Sequence, residues 1–483
     1  MGRADSTRGA IRIVAPTLAA ILAGAMLPLV MPRTGNADSP QSSSGDQASV
    51  LDSPNPDGVL RTVTTDGSAL DDTGPFFQSL GTNGRSCASC HVAKTGWTIS
   101  PSELQDRFDR TAGRDPIFRT VDGSNSPNAN VSTIEARRKA YSMLLDRGVL
   151  RIGLPIPAGA EFDLVAADDP YKFSTASQLS LFRRPLPSTN LRFLTAVMWD
   201  GRESFAGTGT TPISAAATSE QNAEALLEDL MDQANSAVVG HAQGAPLTDV
   251  QRLDIVSFEI NLATAQQFDE SAGPLAAHGA LGGAENLVKQ PFYVTINDVL
   301  GADVQTGKFN SQSMTLYQAW TAARDPDRAA IARGAALFGS TRINITGVGG
   351  LNDALGIPSL RGSCTTCHDA PNVGNHSVAL PIDIGITDAS RRTPDMPLYT
   401  LRNRATGATR QTTDPGRALI TGKWADIGKF KGPVLRGLAS RAPYFHDGSA
   451  ADLATAVEFY DTRFDIGFTD QEKSDLVAFL MAL

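Results

Sequence analysis

Two short stretches decide how this chain folds: Cys-Ala-Ser-Cys-His at residues 87–91 and Cys-Thr-Thr-Cys-His at residues 364–368. In each stretch two cysteines are separated by two residues, and a histidine follows the second cysteine directly. These stretches contain all 4 cysteines of the chain, so none remains for a structural disulfide. One stretch lies in each half of the 483-residue chain, which predicts two sites of the same kind.

The spacing within each stretch suits covalent attachment of haem. Two cysteines three positions apart reach the two haem vinyl groups as thioethers, and the next histidine ligates the iron. A thioredoxin-like redox pair does not need the histidine, and a Cys₂His set is unusual for zinc, whose structural sites take four ligands. We therefore predict two c-type haems, one held by Cys87, Cys90 and His91 and the other by Cys364, Cys367 and His368.

The N-terminal segment has the pattern of an export signal. Arg3, Arg8 and Arg12 precede an uncharged run at 13–32, and small residues follow up to Ala37. We expect cleavage near Ala37 and a periplasmic mature chain. The alternative is an uncleaved membrane anchor, which the prolines of the run disfavour. Without residues 1–37, 42 basic and 51 acidic residues become 38 and 50, and this net charge of -12 makes nucleic acid an unexpected partner.

An internal repeat indicates how the rest of the chain is organised. Residues 247–258 match residues 468–479 in eight positions of the same type and spacing, and Thr248 and Thr469 read as capping residues of two helices. Trp-Asp-Gly-Arg at 199–202 precedes the first helix, and His-Asp-Gly-Ser at 446–449 precedes the second. The repeat predicts a mainly α protein with two cytochrome c-like haem domains related by duplication.

The composition of the remaining segments suggests the domain boundaries. Ser, Asp, Gly and Pro dominate the region after the signal, and the region after the first repeat is rich in Gly and Ala with a β-prone stretch at 292–296. The predicted parts are a signal peptide at 1–37, a flexible leader at 38–75, an N-terminal haem domain at 76–270, a loop-rich linker or insertion at 271–330, and a C-terminal haem domain at 331–483.

The second axial position of each iron is either filled by a side chain or left open. A filled position favours electron transfer, and an open one allows the iron to bind oxygen or peroxide. For the second haem the candidates are His446, Tyr460 and Met396. Tyr460 shares one helical face with the apolar residues of segment 453–464 and therefore points inward. The alternative is a core tyrosine whose hydroxyl is bonded to the backbone.

For the first haem, the equivalent helix at about residues 223–237 offers Met231 and Gln233, with His241 just beyond it. If Met231 or His241 binds the iron, the haem is closed and transfers electrons only. If Gln233 and His241 line an open pocket, the histidine can move a proton between the two oxygens of peroxide and the amide can stabilise charge. A solvated helix end is the third alternative.

The two haem stretches, the tetrapeptide at 199–202 and the run from Gly432 to Gly448 resemble the bacterial dihaem cytochrome c peroxidase and MauG family. The similarity extends from about residue 76 to the end, apart from the linker. It implies that peroxide reacts at the first haem, that the second haem passes electrons to it, and that Trp199 lies between them. It also implies Tyr460 as a ligand of the second iron, because this position, 14 residues after His446, is methionine in the peroxidases and tyrosine in MauG.

The chain also departs from that family. Active members keep a glutamine and a glutamate ten residues apart over the first haem, whereas here Gln233 is followed eight residues later by His241. In resting peroxidases of that family a histidine soon after the first haem stretch closes the first haem. No histidine occurs here between His91 and His241, so the resemblance implies an iron that is open or weakly held at rest. The resemblance implies calcium between the domains, yet the place of its asparagine ligand holds Arg184, and the sequence does not favour the ion.

The sequence thus predicts a periplasmic, MauG-like dihaem peroxidase with Gln233, His241 and Trp199 as its catalytic residues. Its expected partners are hydrogen peroxide and either a small redox protein, a cytochrome c or a cupredoxin, or a protein substrate. Membrane contact is expected only if the N-terminal segment is not cleaved. Two rival predictions are an electron-transfer dihaem cytochrome without catalysis and a dihaem oxygenase of the rubber-oxygenase type.

Overall fold

A computed structural model describes residues 49–204, 218–303 and 305–483. The predicted signal peptide and the first part of the predicted leader, up to residue 48, lie outside these ranges. Within them the helices are α1 (Pro101–Thr111), α2 (Ile134–Ala140), α3 (Ser142–Arg147), α4 (Ser219–Gly240), α5 (Asp249–Ile260), α6 (Ala284–Leu287), α7 (Pro326–Ser340), α8 (Asn352–Leu355), α9 (Ala418–Thr421), α10 (Leu453–Phe464) and α11 (Asp470–Met481).

Short strands lie between these helices along the chain. They are β1 (Val50–Asn55), β2 (Gly58–Thr64), β3 (Leu150–Leu154), β4 (Phe162–Asp168), β5 (Leu179–Arg183), β6 (Leu262–Asp269), β7 (Gly273–Pro274), β8 (Ile343–Thr346), β9 (Ser359–Gly362), β10 (Leu398–Asn403) and β11 (Thr409–Thr412). Helix accounts for 33% and strand for 17%, so the protein carries more strand than the predicted mainly α class implies.

The described part of the predicted flexible leader is ordered, which corrects that prediction. β1 and β2 form an antiparallel hairpin, and β2 pairs with β6 so that Thr62 lies opposite Thr264. The reason is the alternation at the start of β2, where Gly58, Leu60 and Thr62 are buried while Val59 and Arg61 are only partly buried. The Thr62 hydroxyl accepts a hydrogen bond of 2.9 Å from the indole of Trp97. The hairpin therefore supports the loop that follows the first haem stretch.

The repeated helices form as the sequence predicts. α5 and α11 each begin with a capping box, from Thr248 to Gln251 and from Thr469 to Glu472. α10 has the predicted bounds, and α4 is longer than the predicted segment at 223–237. α4 packs on α5 and α10 packs on α11. This parallel supports the duplication, which stays a prediction.

A helix that the sequence reading did not identify, α7, completes the second half. It begins at Pro326 behind the capping carboxylate of Asp325 and spans the expected boundary between residues 330 and 331. α7 crosses α11 at Gly334, where a Cβ would lie only 1.9 Å from the backbone oxygen of Asp475. The β-prone stretch at 292–296 contains no strand. Its Thr295 has a positive φ of 81° within a turn.

The two halves are joined by backbone pairing and by charge. β10 of the second half pairs with β4 of the first, and contacts place the described residues in one compact unit. The guanidinium of Arg183 in the first half forms ion pairs with Asp414 in the second half and with Asp200, and all three side chains are almost fully buried. In the described part of the chain, no helix combines the length and the apolar character needed to cross a membrane.

Candidate haem-binding sites

Each haem stretch forms a single 3₁₀ turn. The turns cover Cys87–Ser89 and Cys364–Thr366. A capping box closes each turn, from Ser86 to Ser89 in the first and from Ser363 to Thr366 in the second. Because the capping hydrogen bonds form within each short turn, the helix ends there and the histidine follows directly after the second cysteine.

The two predicted iron ligands are oriented by backbone carbonyls. His91 Nδ1 lies 3.0 Å from the Trp97 oxygen, and His368 Nδ1 lies 2.6 Å from the Gly374 oxygen. These contacts fix the tautomer with hydrogen on Nδ1 and leave Nε2 available as a metal ligand. Burial lowers the pKa of both histidines to about 4, so both rings are neutral, as ligation requires.

Each turn lies in the wall of a large cavity. Cys87, Cys90 and His91 line the first cavity, where the space not occupied by atoms is about 1530 Å³ with the open solvent at its mouth included. Cys364, Cys367 and His368 line the second, where the corresponding space is about 1710 Å³. Most of the other lining side chains are apolar in both cavities. We call these spaces the first and the second cavity.

These residues fit covalently bound haem. Burial raises the pKa of Cys364 and Cys367 to about 12 and that of Cys87 well above its usual range, so the free thiols would be inert protonated groups. The cysteine and histidine set faces a wide apolar space, as a macrocycle attached at its edge requires. In the described residues, no group of three or more His, Cys, Asp or Glu side chains is arranged to hold a bare metal ion.

His241 lies in the wall of the first cavity and is held there by a buried carboxylate. Its Nδ1 is 2.5 Å from Asp122 Oδ2, and Asp122 is paired at 2.6 Å with Arg85. Burial opposes ionisation of Asp122, but the hydrogen bond from His241 and the charge of Arg85 hold its pKa below the usual value. The carboxylate directs the Nδ1 hydrogen towards itself, so Nε2 of His241 is the nitrogen available to the cavity.

Of the other candidate residues for the first haem, Gln233 lines the first cavity and Met231 does not. Gln233, in the last part of α4, and His241, the residue that caps the end of α4, both line the first cavity. Met231 is not among the residues that line the cavity and packs instead with the apolar core of the first half. The structure therefore places Gln233 and His241 in the wall of one cavity and leaves Met231 out.

The candidates for the second iron separate in the same way. Tyr460 and His446 both line the second cavity, whereas Met396 is buried in a cluster with Met143 and Phe182 away from it. Within the described residues the Tyr460 hydroxyl has no hydrogen-bond partner, contrary to the alternative of a core tyrosine bonded to the backbone. Burial raises the pKa of Tyr460 above its usual range.

One stretch of wall is common to the two cavities. Trp199 belongs to it, and its indole nitrogen donates a 2.8 Å hydrogen bond to the backbone oxygen of Arg184. The other residues that line both cavities are Arg184, Pro185, Leu186, Pro187, Lys431, Pro433 and Arg441. We call this group the shared wall. Trp199 is thus placed between the two cavities.

Several polar residues of the cavities were not identified from the sequence. Asp122 and Arg85 carry no motif, and Asp122 lies 119 residues from the histidine that it holds. Glu259, at the end of α5, is buried in the wall of the first cavity, and burial raises its pKa to about 7. In the sequence, Glu259 is marked only by its position on a helical face of α5 that is otherwise apolar. Lys431 directly precedes the run that carries the family resemblance.

No family model matches the chain. Curated relatives match about a quarter of it. A cytochrome c peroxidase of Denitromonas iodatirespirans is 32% identical over 137 residues, which are 26% of this chain and 36% of the relative. The cytochrome c551 peroxidase of Nitrosomonas europaea is 35% identical over 121 residues, 25% of this chain and 30% of the relative. A cytochrome c peroxidase of Pseudomonas sp. (strain SCT) is 29% identical over 143 residues, 26% and 37%. The chain spans about a third of the length of these relatives.

Among solved structures, a MauG-like protein associated with microbial copper homeostasis covers 85% of both chains with a TM-score of 0.37 at 16% identity. A variant of the dihaem peroxidase BthA from Burkholderia thailandensis covers 87% of this chain and 88% of its own, with a TM-score of 0.31 at 17% identity.

Proposed function

We propose that the chain, whose motifs predict a relative of the bacterial dihaem cytochrome c peroxidases, is a MauG-like dihaem peroxidase of the periplasm. Hydrogen peroxide is reduced in the first cavity, and electrons arrive through the second. The observation that carries the proposal is the difference between the two cavities. Both have a haem stretch in the wall, but the first contains an amide and a histidine that a buried carboxylate holds, and the second contains a tyrosine and a histidine without a hydrogen-bond partner in the described structure.

The residues of the first cavity are suited to proton transfer. Reduction of one peroxide molecule consumes two electrons and two protons and gives two waters. Haem supplies the electrons and the place where peroxide binds. Nε2 of His241 accepts a proton from the nearer peroxide oxygen and returns it to the departing one, while Asp122 keeps the ring in the required tautomer. The amide of Gln233 donates a hydrogen bond to the oxygen on which charge develops.

The residues of the second cavity are suited to stabilise an oxidised haem. A tyrosine hydroxyl buried in an apolar cavity keeps its proton because burial raises its pKa. A bound ferric ion would lower this pKa, so the phenol would lose its proton on binding the metal. His368 and Tyr460 would hold the haem of this cavity, and an anionic oxygen ligand would favour its ferric state. Trp199 in the shared wall would lie between this haem and the first one.

The electron donor in this proposal is a small redox protein, a cytochrome c or a cupredoxin, and a protein substrate is the MauG-like alternative. The relatives named cytochrome c peroxidases favour the first class. The net charge of -12 expected for the mature chain favours a donor with a basic face.

Single substitutions in the first cavity test the proposal by the rate of reaction with peroxide in stopped-flow absorption. His241→Ala is expected to slow the reaction by on the order of 100-fold or more. Asp122→Asn, which presents the wrong tautomer to the cavity, is expected to slow it by about 10- to 100-fold. Asp115→Asn is the matched control, because Asp115 also pairs with an arginine but, unlike Asp122, forms no hydrogen bond with His241. It should react at the unmodified rate.

Other outcomes favour the rival functions. If His241→Ala and Gln233→Ala both react at the unmodified rate, the peroxide site lies elsewhere. A spectrum of the oxidised protein with only low-spin haem favours the electron-transfer cytochrome, with His241 as an iron ligand. A stable oxygenated form of the reduced protein favours the dihaem oxygenase.

A further inference from the structure

Three cations in the shared wall are held only by neutral groups. Nζ of Lys431 donates to the backbone oxygen of Ala196 at 3.0 Å, and Arg441 donates to the Val434 oxygen at 2.8 Å. Arg184 donates to the backbone oxygens of Arg147, Ile99 and Arg441. We call Arg184, Lys431 and Arg441 the wall cations. They line both cavities.

In the described part of the chain, no carboxylate lies within ion-pair distance of any wall cation. Burial consequently lowers the pKa of Lys431 to about 7, of Arg184 to about 9 and of Arg441 to about 10. Arg183, equally buried but paired with two carboxylates, has its pKa raised instead. Because an unpaired buried charge is costly, a protein that retains three of them in one wall has an anion to place there.

A second, independent observation points to the same kind of ligand. His446 is fully buried in the wall of the second cavity, and neither of its ring nitrogens has a hydrogen-bond partner in the described structure. The nearest carboxylate oxygens, of Asp414 and Asp447, are 3.9 and 4.0 Å away, beyond hydrogen-bond length. Its ring stacks on Phe430 and is therefore held in place while its polar atoms remain unsatisfied.

We propose that the wall cations form one binding site for the propionate carboxylates of both haems, with His446 as an additional donor on the side of the second cavity. This inference rests on the proposed function, since it requires the two covalent haems. Within the cavity walls the macrocycle meets mostly apolar side chains, so its carboxylates have to be directed to the polar part of the lining. The shared wall supplies the unpaired cations for both cavities at once.

The shared position has a consequence that separate sites would not have. A positive charge beside a propionate favours the reduced state of the haem, because reduction removes one positive charge from the iron. A wall cation lies on the boundary of both cavities, so its removal should lower the reduction potentials of both haems. A cation that belongs to one cavity alone would change one potential only.

The test is Lys431→Met in the full-length, haem-loaded protein, with intact mass used first to confirm two covalent haems. Spectroelectrochemical titration should show both potentials lowered, and resonance Raman spectra should show the propionate bending bands of both haems shifted. Lys431→Arg, which keeps the charge, should restore both readouts. The matched control is Arg192→Met, because Arg192 is also held by backbone oxygens but lines neither cavity.

Each result supports or overturns the inference. If Lys431→Met does not load haem, Arg441→Met provides the same two readouts. Unchanged potentials and Raman bands in a loaded variant, or a change equal to that of Arg192→Met, would show that the wall cations have a structural role only. A shift in one haem alone would contradict the shared site. Failure of the unmodified protein to carry two haems would instead contradict the proposed function.

Discussion

At the scale of single residues, the cavities combine apolar walls with a few polar groups whose partners are incomplete. His446 has no hydrogen-bond partner in the described structure, Tyr460 is buried against the second cavity, and Glu259 is a buried carboxyl without a cation beside it. Such groups are costly in a folded protein unless a ligand or a protonation change satisfies them. Their presence in cavity walls therefore indicates function, and each gives a measurable expectation.

Tyr460 is expected to ligate the second iron. In Tyr460→Phe the second haem should lose its low-spin spectrum in the ferric state, and in Tyr460→Met its reduction potential should rise, because a thioether favours the ferrous state more than a phenolate does. Tyr444→Phe is the matched control, since Tyr444 lines the same cavity but its hydroxyl is satisfied by the Leu438 oxygen at 2.8 Å. An unchanged spectrum and potential in Tyr460→Phe would leave His446 as the ligand.

Glu259 is expected to make stability depend on pH. Its pKa is raised by burial from 4.5 to about 7, so between these values the folded state binds more protons than the unfolded state. The free energy of unfolding should therefore fall as pH rises from about 4.5 to 7 and level off above it. Glu259→Gln should remove this decline, as measured by thermal unfolding from pH 5 to pH 8. The exposed Glu270→Gln should leave the decline unchanged, and a decline that persists in Glu259→Gln would assign it to another group.

At the scale of elements, the second half depends on how closely α7 and α11 approach. Gly334 allows the contact, because the backbone oxygen of Asp475 and the Cβ of Phe479 occupy the space that a side chain would need. The first half is built around α4 and α5 and is supported by the β1–β2 hairpin. The equivalent helices thus sit in different surroundings in the two halves.

Gly334→Ala is expected to push α7 away from α11 and to lower the free energy of unfolding by about 1–3 kcal/mol in denaturant titration. Gly240→Ala is the matched control, since Gly240 ends α4 and has open space where its Cβ would be. It should be neutral or stabilise the protein by up to about 1 kcal/mol. Equal effects of the two substitutions would show that helix propensity, and not the contact with α11, decides the outcome.

At the scale of the whole molecule, the halves are held together by the buried ion cluster of Arg183, Asp200 and Asp414 and by the pairing of β4 with β10. The cluster lies directly behind Trp199, since Asp200 is the next residue. Its rigidity therefore bears on the spacing between the two cavities as well as on stability.

Asp414→Asn should lower the free energy of unfolding by about 3–5 kcal/mol, because it leaves the buried charge of Arg183 with a single carboxylate. Urea unfolding followed by circular dichroism and by the absorption of both haems measures the effect. Asp163→Asn provides the control, since Asp163 forms an exposed ion pair with Arg404 that also joins the two halves. Exposed pairs contribute little, so this variant should unfold like the unmodified protein. Similar midpoints for both variants would show that the cluster does not hold the halves together.

The sequence by itself determined the features that a few neighbouring residues encode. These are the two haem stretches, the capping boxes of α5 and α11, the bounds of α10 with Tyr460 on its inner face, and the resemblance to dihaem peroxidases. The reason is physical: thioether attachment, helix capping and helical periodicity each depend on positions at most a few residues apart. Only the tertiary structure decided which polar groups meet. It ordered part of the expected leader as a hairpin, joined Asp122 to His241, removed Met231 and Met396 from the cavities, and brought Arg184 and Lys431 into one wall between them. Contacts between residues so far apart in sequence follow from the packing of whole elements, which no local pattern records.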